Sequence, residues 1–346
     1  MEQSAKLFEL SPTVKRGEDT ECNTKTFYQE KEALNLGRLG EGTSVIHSKT
    51  KKAYTITTLE KKLIIENKLK ERIQNIMTTM YKVHSPFIFR LLNHFETNES
   101  LMLIFEPFKG QTLENFIFNH KKLDEFLALK IFIQVCIGVR KLNKIGLFNV
   151  SVYPNNILID EGNVVKITDY GIKISGGKTT KNPMRFTLSA NFGGKNKNID
   201  AYTTPEQLIS YKSHKKVKPD PKLDSWNLGV LLFEICIGFE KTKKIFKETI
   251  NNVDDLAKNI LNANFNFSLI ENKFCQKIIK GVLKADPGKR LSIDQILEFE
   301  ELKNLAIDEI EIDPKDCIIN GADGDENNED AGEENNEEGE EVEGEG

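Results

Sequence analysis

An α+β fold is predicted for this 346-residue chain, and three observations lead to it. Short apolar stretches and a glycine-rich turn gather mostly before residue 106, the pattern of paired strands. Helix-period apolar stripes dominate the chain beyond residue 112, the pattern of a packed helical body. Within that second part lies Phe148 to Gly171, where Ile157-Leu158-Ile159 and Val164-Val165-Lys166-Ile167 read as two strands joined by the turn Asp160-Glu161-Gly162-Asn163. Such a hairpin brings Asn156 and Asp169 to the same end, an amide beside a carboxylate. That pair is a seat for a magnesium ion holding phosphate oxygens.

Residues 1–34 are polar and weakly patterned and are read as an extension. Leu36 to Lys52 is expected to form a strand, a glycine turn over Leu39-Gly40-Glu41-Gly42-Thr43-Ser44-Val45, and a second strand. Ala53-Tyr54-Thr55-Ile56 continues as a third. From Glu66 to Val83, Ile73, Ile76, Met77, Met80 and Val83 recur at helical spacing. Phe89 to Leu92 and Leu101 to Phe105 read as strands, and Leu113 to His120 as a short helix. Asp124 to Asn143 is a helix apolar enough to be mostly buried. Lys173 to Thr203, with Gly176-Gly177, Pro183 and Gly193-Gly194, is expected to be a mobile loop rather than a regular element. The helix from Asp224 through Ile235 is apolar nearly all round and must sit inside a large body. Ser292 and Gln295 are spaced as a capping box for the last helix.

Composition limits the classes open to this chain. Hydrophobic residues make up 38%, with 21 Phe, sufficient for a real core. Cys22, Cys136, Cys236, Cys275 and Cys317 are scattered and form no Cys-x-x-Cys pair, so a zinc site or disulfide framework is not expected and a reducing compartment fits better. No apolar run is long enough to span a bilayer, which sets the expectation of a cytoplasmic protein with neither membrane nor nucleic acid as partner. Charge is asymmetric. Residues 321–346 hold 13 Asp or Glu and no Lys or Arg, leaving 48 Lys and Arg against 40 acids elsewhere, a net +8. A basic body with an acidic tail suggests contact between the two, or an anionic partner; the plainer reading of the tail is a solvated, disordered solubility device.

Taken together, the ordered residues Gly40, Gly42, Asn156, Asp169-Tyr170-Gly171, Pro205-Glu206, Asp224 and Arg290 resemble the eukaryotic protein kinases from about Gly37 to Leu305. The resemblance implies a two-lobed protein-kinase-like fold: an extension at 1–34, a small β-rich N-lobe at 35–106, a larger mostly helical C-lobe at 107–305, and an acidic disordered tail at 306–346. It implies ATP and magnesium as candidate cofactors. Gly40 and Gly42 would close over the phosphates, Glu106 would open the hinge at the nucleotide cleft, and Asn156 and Asp169 would hold the metal. Asn156 also has a plainer reading, capping loop carbonyls, and Asp169 one of bonding backbone amides in its turn. Glu206 with Arg290 is the family's structural ion pair, and Asp224 the carboxylate that holds the catalytic-loop backbone.

The departures fall where the chemistry should be. The family's His-Arg-Asp falls on Asn149, Val150 and Ser151, its loop lysine on Tyr153, and its phosphate-binding strand lysine on Thr55. The third glycine is Val45 or deleted, and the helix glutamate falls near Asn75. A serine cannot take a proton from an alcohol near neutral pH, and neither a threonine nor a tyrosine supplies a cation. No catalytic residue is therefore assigned. The resemblance is to a pseudokinase: a catalytically impaired scaffold or allosteric binding module whose protein partner is an active kinase or a cytoskeletal or structural assembly. The alternative is a weak or atypical ATP-dependent kinase or transferase using Asp169 and Asn156 with magnesium.

Overall fold

The computed structural model describes residues 28–36, 39–66, 68–168, 188–192, 195–213, 217–238, 241 and 244–307. Asp169, the first 27 residues and the acidic tail from 308 onward lie outside them.

Alternating and β-branched residues build the first layer. Strands β1 (Tyr28–Asn35), β2 (Glu41–His47), β3 (Ala53–Glu60), β4 (Leu91–Glu96) and β5 (Ser100–Phe105) form one antiparallel sheet in the order β1-β2-β3-β5-β4. β1 takes in residues 28–34, which the sequence pattern places in the extension. Its exposed, charged run Gln29 to Glu32 hides the strand, because an edge strand need bury little of its own surface. The connection also lies earlier than expected, since β1 ends at Asn35 and β2 begins at Glu41, with the Leu36 N–H donating to the Gly40 carbonyl at 3.0 Å. Gly40 has φ +88°, a left-handed geometry natural to glycine.

Two helices, α1 (Lys61–Glu66) and α2 (Lys70–Met80), replace the single helix expected from Glu66 to Val83. Lys68 between them has φ +53°, outside the helical region. The predicted stripe is correct: Ile73, Ile76, Met77 and Met80 are buried. Asn75, placed at the family's glutamate position, is exposed on the other side of α2 and does not face the core.

The second body is helical. α3 (Leu113–His120) is capped by Thr112, and α4 (Glu125–Lys144) by Asp124, whose carboxylate accepts from the Phe126 and Leu127 N–H groups. Three short strands, β6 (Gly110–Thr112), β7 (Ile157–Asp160) and β8 (Val165–Ile167), form a sheet against α3 and α4. Asp160 Oδ1 accepts from Gly162 N–H and Val164 N–H, closing the predicted turn. The expected loop at 173–203 instead contains a hairpin, β9 (Leu188–Phe192) with β10 (Lys195–Ile199). Gly193-Gly194 stands between the two strands in the sequence, the residue pair that two-residue hairpins favour, so the glycines that suggest a loop are also a turn signal.

α5 (Pro205–Ser213), α6 (Pro221–Ile237), α7 (Val253–Leu261), α8 (Lys273–Val282), α9 (Ile293–Leu297) and α10 (Glu300–Ile307) complete the body. α6 is buried along nearly its whole length, as its apolar circumference requires, and packs against α4 and α8. Ser292 and Gln295 make the expected capping box on α9. A five-stranded sheet lobe and a helical lobe are thus joined through Glu106 to Phe108. Among the described residues no helix is long and apolar enough to cross a membrane, and no group of three or more His, Cys, Asp or Glu could hold a metal.

Candidate functional site

Between the sheet lobe and the β7–β8 hairpin lie most of the residues singled out from the sequence. Asn156 ends the polar loop and is fully buried. Its Nδ2 donates to the Ser151 carbonyl and to the Ser151 hydroxyl, each at 3.0 Å. The amide and the residue at the base position therefore hold one another. Of the two expected metal ligands, Asn156 alone lies among the described residues, and Asp169 lies outside them.

The two glycines have separate tasks. Gly40 occupies the turn, where a Cβ would meet nothing within 4 Å. Gly42 sits within β2, opposite Leu34 and Thr57, rather than in the turn. A Cβ on Gly42 would come within 2.5 Å of Leu36 Cδ1 and 3.4 Å of Thr55 Cγ2. Gly42 thus makes room for a leucine side chain. Leu36 and Leu39 are both buried, at 0% and 2% exposure. From the other lobe, the Thr168 hydroxyl donates to the Leu36 carbonyl at 3.2 Å and to the Asn156 carbonyl at 3.0 Å.

Thr55, at the position of the family's lysine, is completely buried in β3, and its Oγ1 has no hydrogen-bond partner. An unsatisfied buried hydroxyl costs roughly 1–3 kcal/mol, a penalty normally avoided in a core. Glu106, expected at the hinge of a nucleotide cleft, has its carboxylate engaged. Its Oε1 accepts from Lys166 Nζ and from the Arg90 N–H, both at 2.9 Å. Behind it, Phe105 is fully buried and stacks on Phe89 with centroids 4.8 Å apart.

The fold-maintaining residues are assembled as the resemblance implied. Asp224 accepts from the Val150 N–H at 2.7 Å and from the Asn149 N–H at 3.0 Å. With its amide turned toward the carboxylate, Asn143 donates to Asp224 Oδ2 at 3.0 Å. Asn149 takes φ +58°, a conformation asparagine tolerates better than most residues. Burial pushes the Asp224 carboxyl up to about 7, against the pull of these three donors. Arg290 makes a two-pronged pair with Glu206, both prongs at 2.7 Å, and also donates to the carbonyls of Lys284, Lys222 and Ala285. Its guanidinium lies 5.1 Å from the Trp226 ring.

Several participants were not legible as site residues. Leu36 reads as the start of a strand and Lys166 as a strand residue, while Thr168 lies just past the strand read at Val164 to Ile167. Tyr153, recognised only as a lost lysine, donates its hydroxyl to Asp200 at 3.2 Å and stacks on Tyr202 with centroids 4.3 Å apart. Tyr202 in turn donates to the buried Glu234 at 2.7 Å. An aromatic-acid chain fills the space beside the loop; only the spacing of Tyr and Asp residues hints at it.

Comparisons with known proteins agree with this architecture. A family model described as protein kinase domain matches residues 28–300. The chain is 25% identical over 288 residues to CBL-interacting protein kinase 2 of Oryza sativa subsp. japonica, covering 81% of this chain and 60% of that one. It is 26% identical to G protein-coupled receptor kinase 4 of Rattus norvegicus, covering 78% of this chain and 44% of that one. It is 26% identical to an Aurora kinase of Candida glabrata, with 75% and 66% covered. The chain therefore spans about half the length of some of the curated relatives it matches. With the family's ion pair, its buried helix aspartate and its strand order all assembled across the matched span, the chain belongs to the protein kinase domain family.

Proposed function

We propose that this kinase domain is catalytically impaired and works as a scaffold or allosteric binding module for a protein partner. The observation that carries the reading is Leu36, whose side chain fills the space beside Gly42 of the sheet lobe and whose carbonyl accepts from Thr168 of the helical lobe. In an active member of the family, this is where a glycine loop and a lysine meet the nucleotide phosphates. Here an apolar side chain fills the space beside Gly42, and the lysine position is a buried threonine that carries no charge. The described residues do not fit ATP with magnesium: the cleft lacks a phosphate-facing cation at Thr55.

Loss of one charge-stabilising group typically costs hundreds-fold in rate, about 3 to 4 kcal/mol. Ser151, Thr55 and Tyr153 stand at three such positions, and Tyr153 is turned to Asp200. The retained bonds of Asp224 and Arg290 hold a fold, which is what a binding module requires. Two relatives are named for proteins they concern, a CBL-interacting kinase and a G protein-coupled receptor kinase, which supports a protein as the class of partner.

Thermal unfolding with ATP, with and without magnesium, tests the reading beside Asp169→Ala. A ligand that binds only the folded state stabilises it by about 2.7 kcal/mol at one hundred times its dissociation constant. No shift at millimolar nucleotide is expected. A magnesium-dependent rise that disappears in Asp169→Ala would overturn the closed-cleft reading in favour of an ATP-dependent transferase.

A further inference from the structure

Helices α6 and α8 lie in close contact, and their register aligns two cysteines. Gly229 of α6 meets Val282 of α8 so closely that a Cβ on the glycine would come within 2.4 Å of Val282 Cγ2. Cys236 lies seven residues further along α6, and Cys275 seven residues back along α8. Seven residues are close to two helical turns, so an antiparallel pair returns the same two faces to one another at these positions. The two thiols lie near enough to shift one another's titration. Cys275 is fully buried, whereas Cys236 is partly exposed at the rim, which opens the pair to a small solute.

The surroundings hold the pair in place. The Cys275 N–H donates to Asn272 Oδ1 at 2.8 Å, in the N-cap of α8, and Asn272 Nδ2 donates to Glu125 at 2.7 Å. Lys122 pairs with Glu271 at 2.8 Å on the same side. Gly238, just past the end of α6, is pressed against the Lys121 carbonyl. The end of α6, the start of α8 and the segment leading into α4 therefore converge on the two sulfurs. Cys136 differs: burial alone acts on its thiol and raises it well above the usual range.

We propose that Cys236 and Cys275 are a redox modification site, joined by a reversible disulfide when the protein meets a hydroperoxide. The interaction of the two thiols lowers that of Cys275 and raises that of Cys236, so the pair loses its first proton from Cys275. The Cys275 thiolate attacks the peroxide; an S–O bond forms, the O–O bond breaks, and the departing oxygen takes a proton and leaves as water. The Cys236 sulfur then gives up its proton and attacks the Cys275 sulfenic acid. An S–S bond forms, the S–O bond breaks, and a second water leaves. Two thiols are oxidised by two electrons and one hydrogen peroxide is reduced to two waters. The product staples α6 to α8 at the base of the helical lobe, away from the cleft.

The test is peptide mapping of the full chain, treated with stoichiometric hydrogen peroxide and then unfolded in an alkylating agent. The expected product is one bridged pair of peptides containing Cys236 and Cys275, lost on treatment with dithiothreitol. Oxidised protein should also melt roughly 5 °C or more above the reduced form, because the bridge closes a long loop of the unfolded chain. That gain should be absent in Cys236→Ser. Recovery of both cysteines as alkylated free thiols overturns the proposal. So does a bridge to Cys22, Cys136 or Cys317, or sulfinic acid at either position without a bridge.

Discussion

The Thr168 hydroxyl donates to the Leu36 carbonyl at 3.2 Å, joining residues 132 positions apart and tying the β1–β2 turn to the floor of the cleft. Thr168 stands immediately before the Asp169-Tyr170-Gly171 motif, so the bond couples the turn to the segment where the family keeps its metal-binding aspartate. The neighbouring glycine completes the arrangement, because Gly42 leaves the space that the Leu36 side chain enters.

Gly42→Ala should destabilise the fold by about 1–3 kcal/mol, since the new methyl collides with Leu36 in a packed interior. Leu36→Ala should cost about 2–5 kcal/mol through the cavity it leaves. The double variant should lose less than the sum of the two, because the shortened side chain gives the alanine room. Urea denaturation of the four proteins measures the coupling, and strict additivity would mean that the two side chains do not meet.

Arg290→Ala should be among the most destabilising single changes, by about 3–5 kcal/mol, because Glu206 and three carbonyls lose their donors together. Arg290→Lys should recover only part of the loss, since an ammonium cannot match the planar fork. Denaturation midpoints rank the three proteins. A lysine variant as stable as the wild type would contradict the role of the fork.

Asp224 makes the stability depend on pH. Its folded carboxyl is raised to about 7 from an ordinary value of 3.8, chiefly by burial. The folded state therefore binds the proton more tightly than the unfolded chain. Its contribution is full below about pH 4 and is lost as pH rises through 7. Stability of the wild type relative to Asp224→Asn should thus fall between about pH 4 and 8. Paired urea titrations across that range cancel the other groups, and a difference that rises with pH would reverse the sign.

Ser151→Asp should leave phosphoryl transfer undetectable. The substitution restores a carboxylate at the base position but leaves Thr55 without charge and Tyr153 bonded to Asp200. Asn156 Nδ2, which donates to the Ser151 hydroxyl, would then have a charged acceptor in its place. A radiolabel-transfer assay with a generic protein substrate reads the first outcome. Robust turnover in this variant would show that a single residue silenced the domain.

Much of the architecture was legible because local chemistry and long-range packing demanded the same thing. The apolar circumference of α6 required burial, the stripe on α2 identified its inner face, and Asp160-Glu161-Gly162-Asn163 specified a hairpin. Glu206 and Arg290 were legible as partners only through the family resemblance, since 84 residues separate them. Errors gathered where a signal had two meanings. The glycines at 193 and 194 mark a hairpin as readily as a loop, and the polar strand β1 resembles an extension.

By itself, the sequence determined the kinase-like order of elements, the buried helices and the replacement of the reacting side chains by Thr55, Ser151 and Tyr153. The buried helices follow from residue type and periodicity, which act over a few turns or one strand; the order of elements and the replaced positions are read through the family resemblance. Tertiary structure alone decided that Leu36 lies under Gly42, that Thr168 holds its carbonyl, that Lys166 occupies Glu106, and that Cys236 faces Cys275. Each of these joins residues from different elements. Their meeting depends on how sheet and helices pack as whole bodies, which no local pattern encodes.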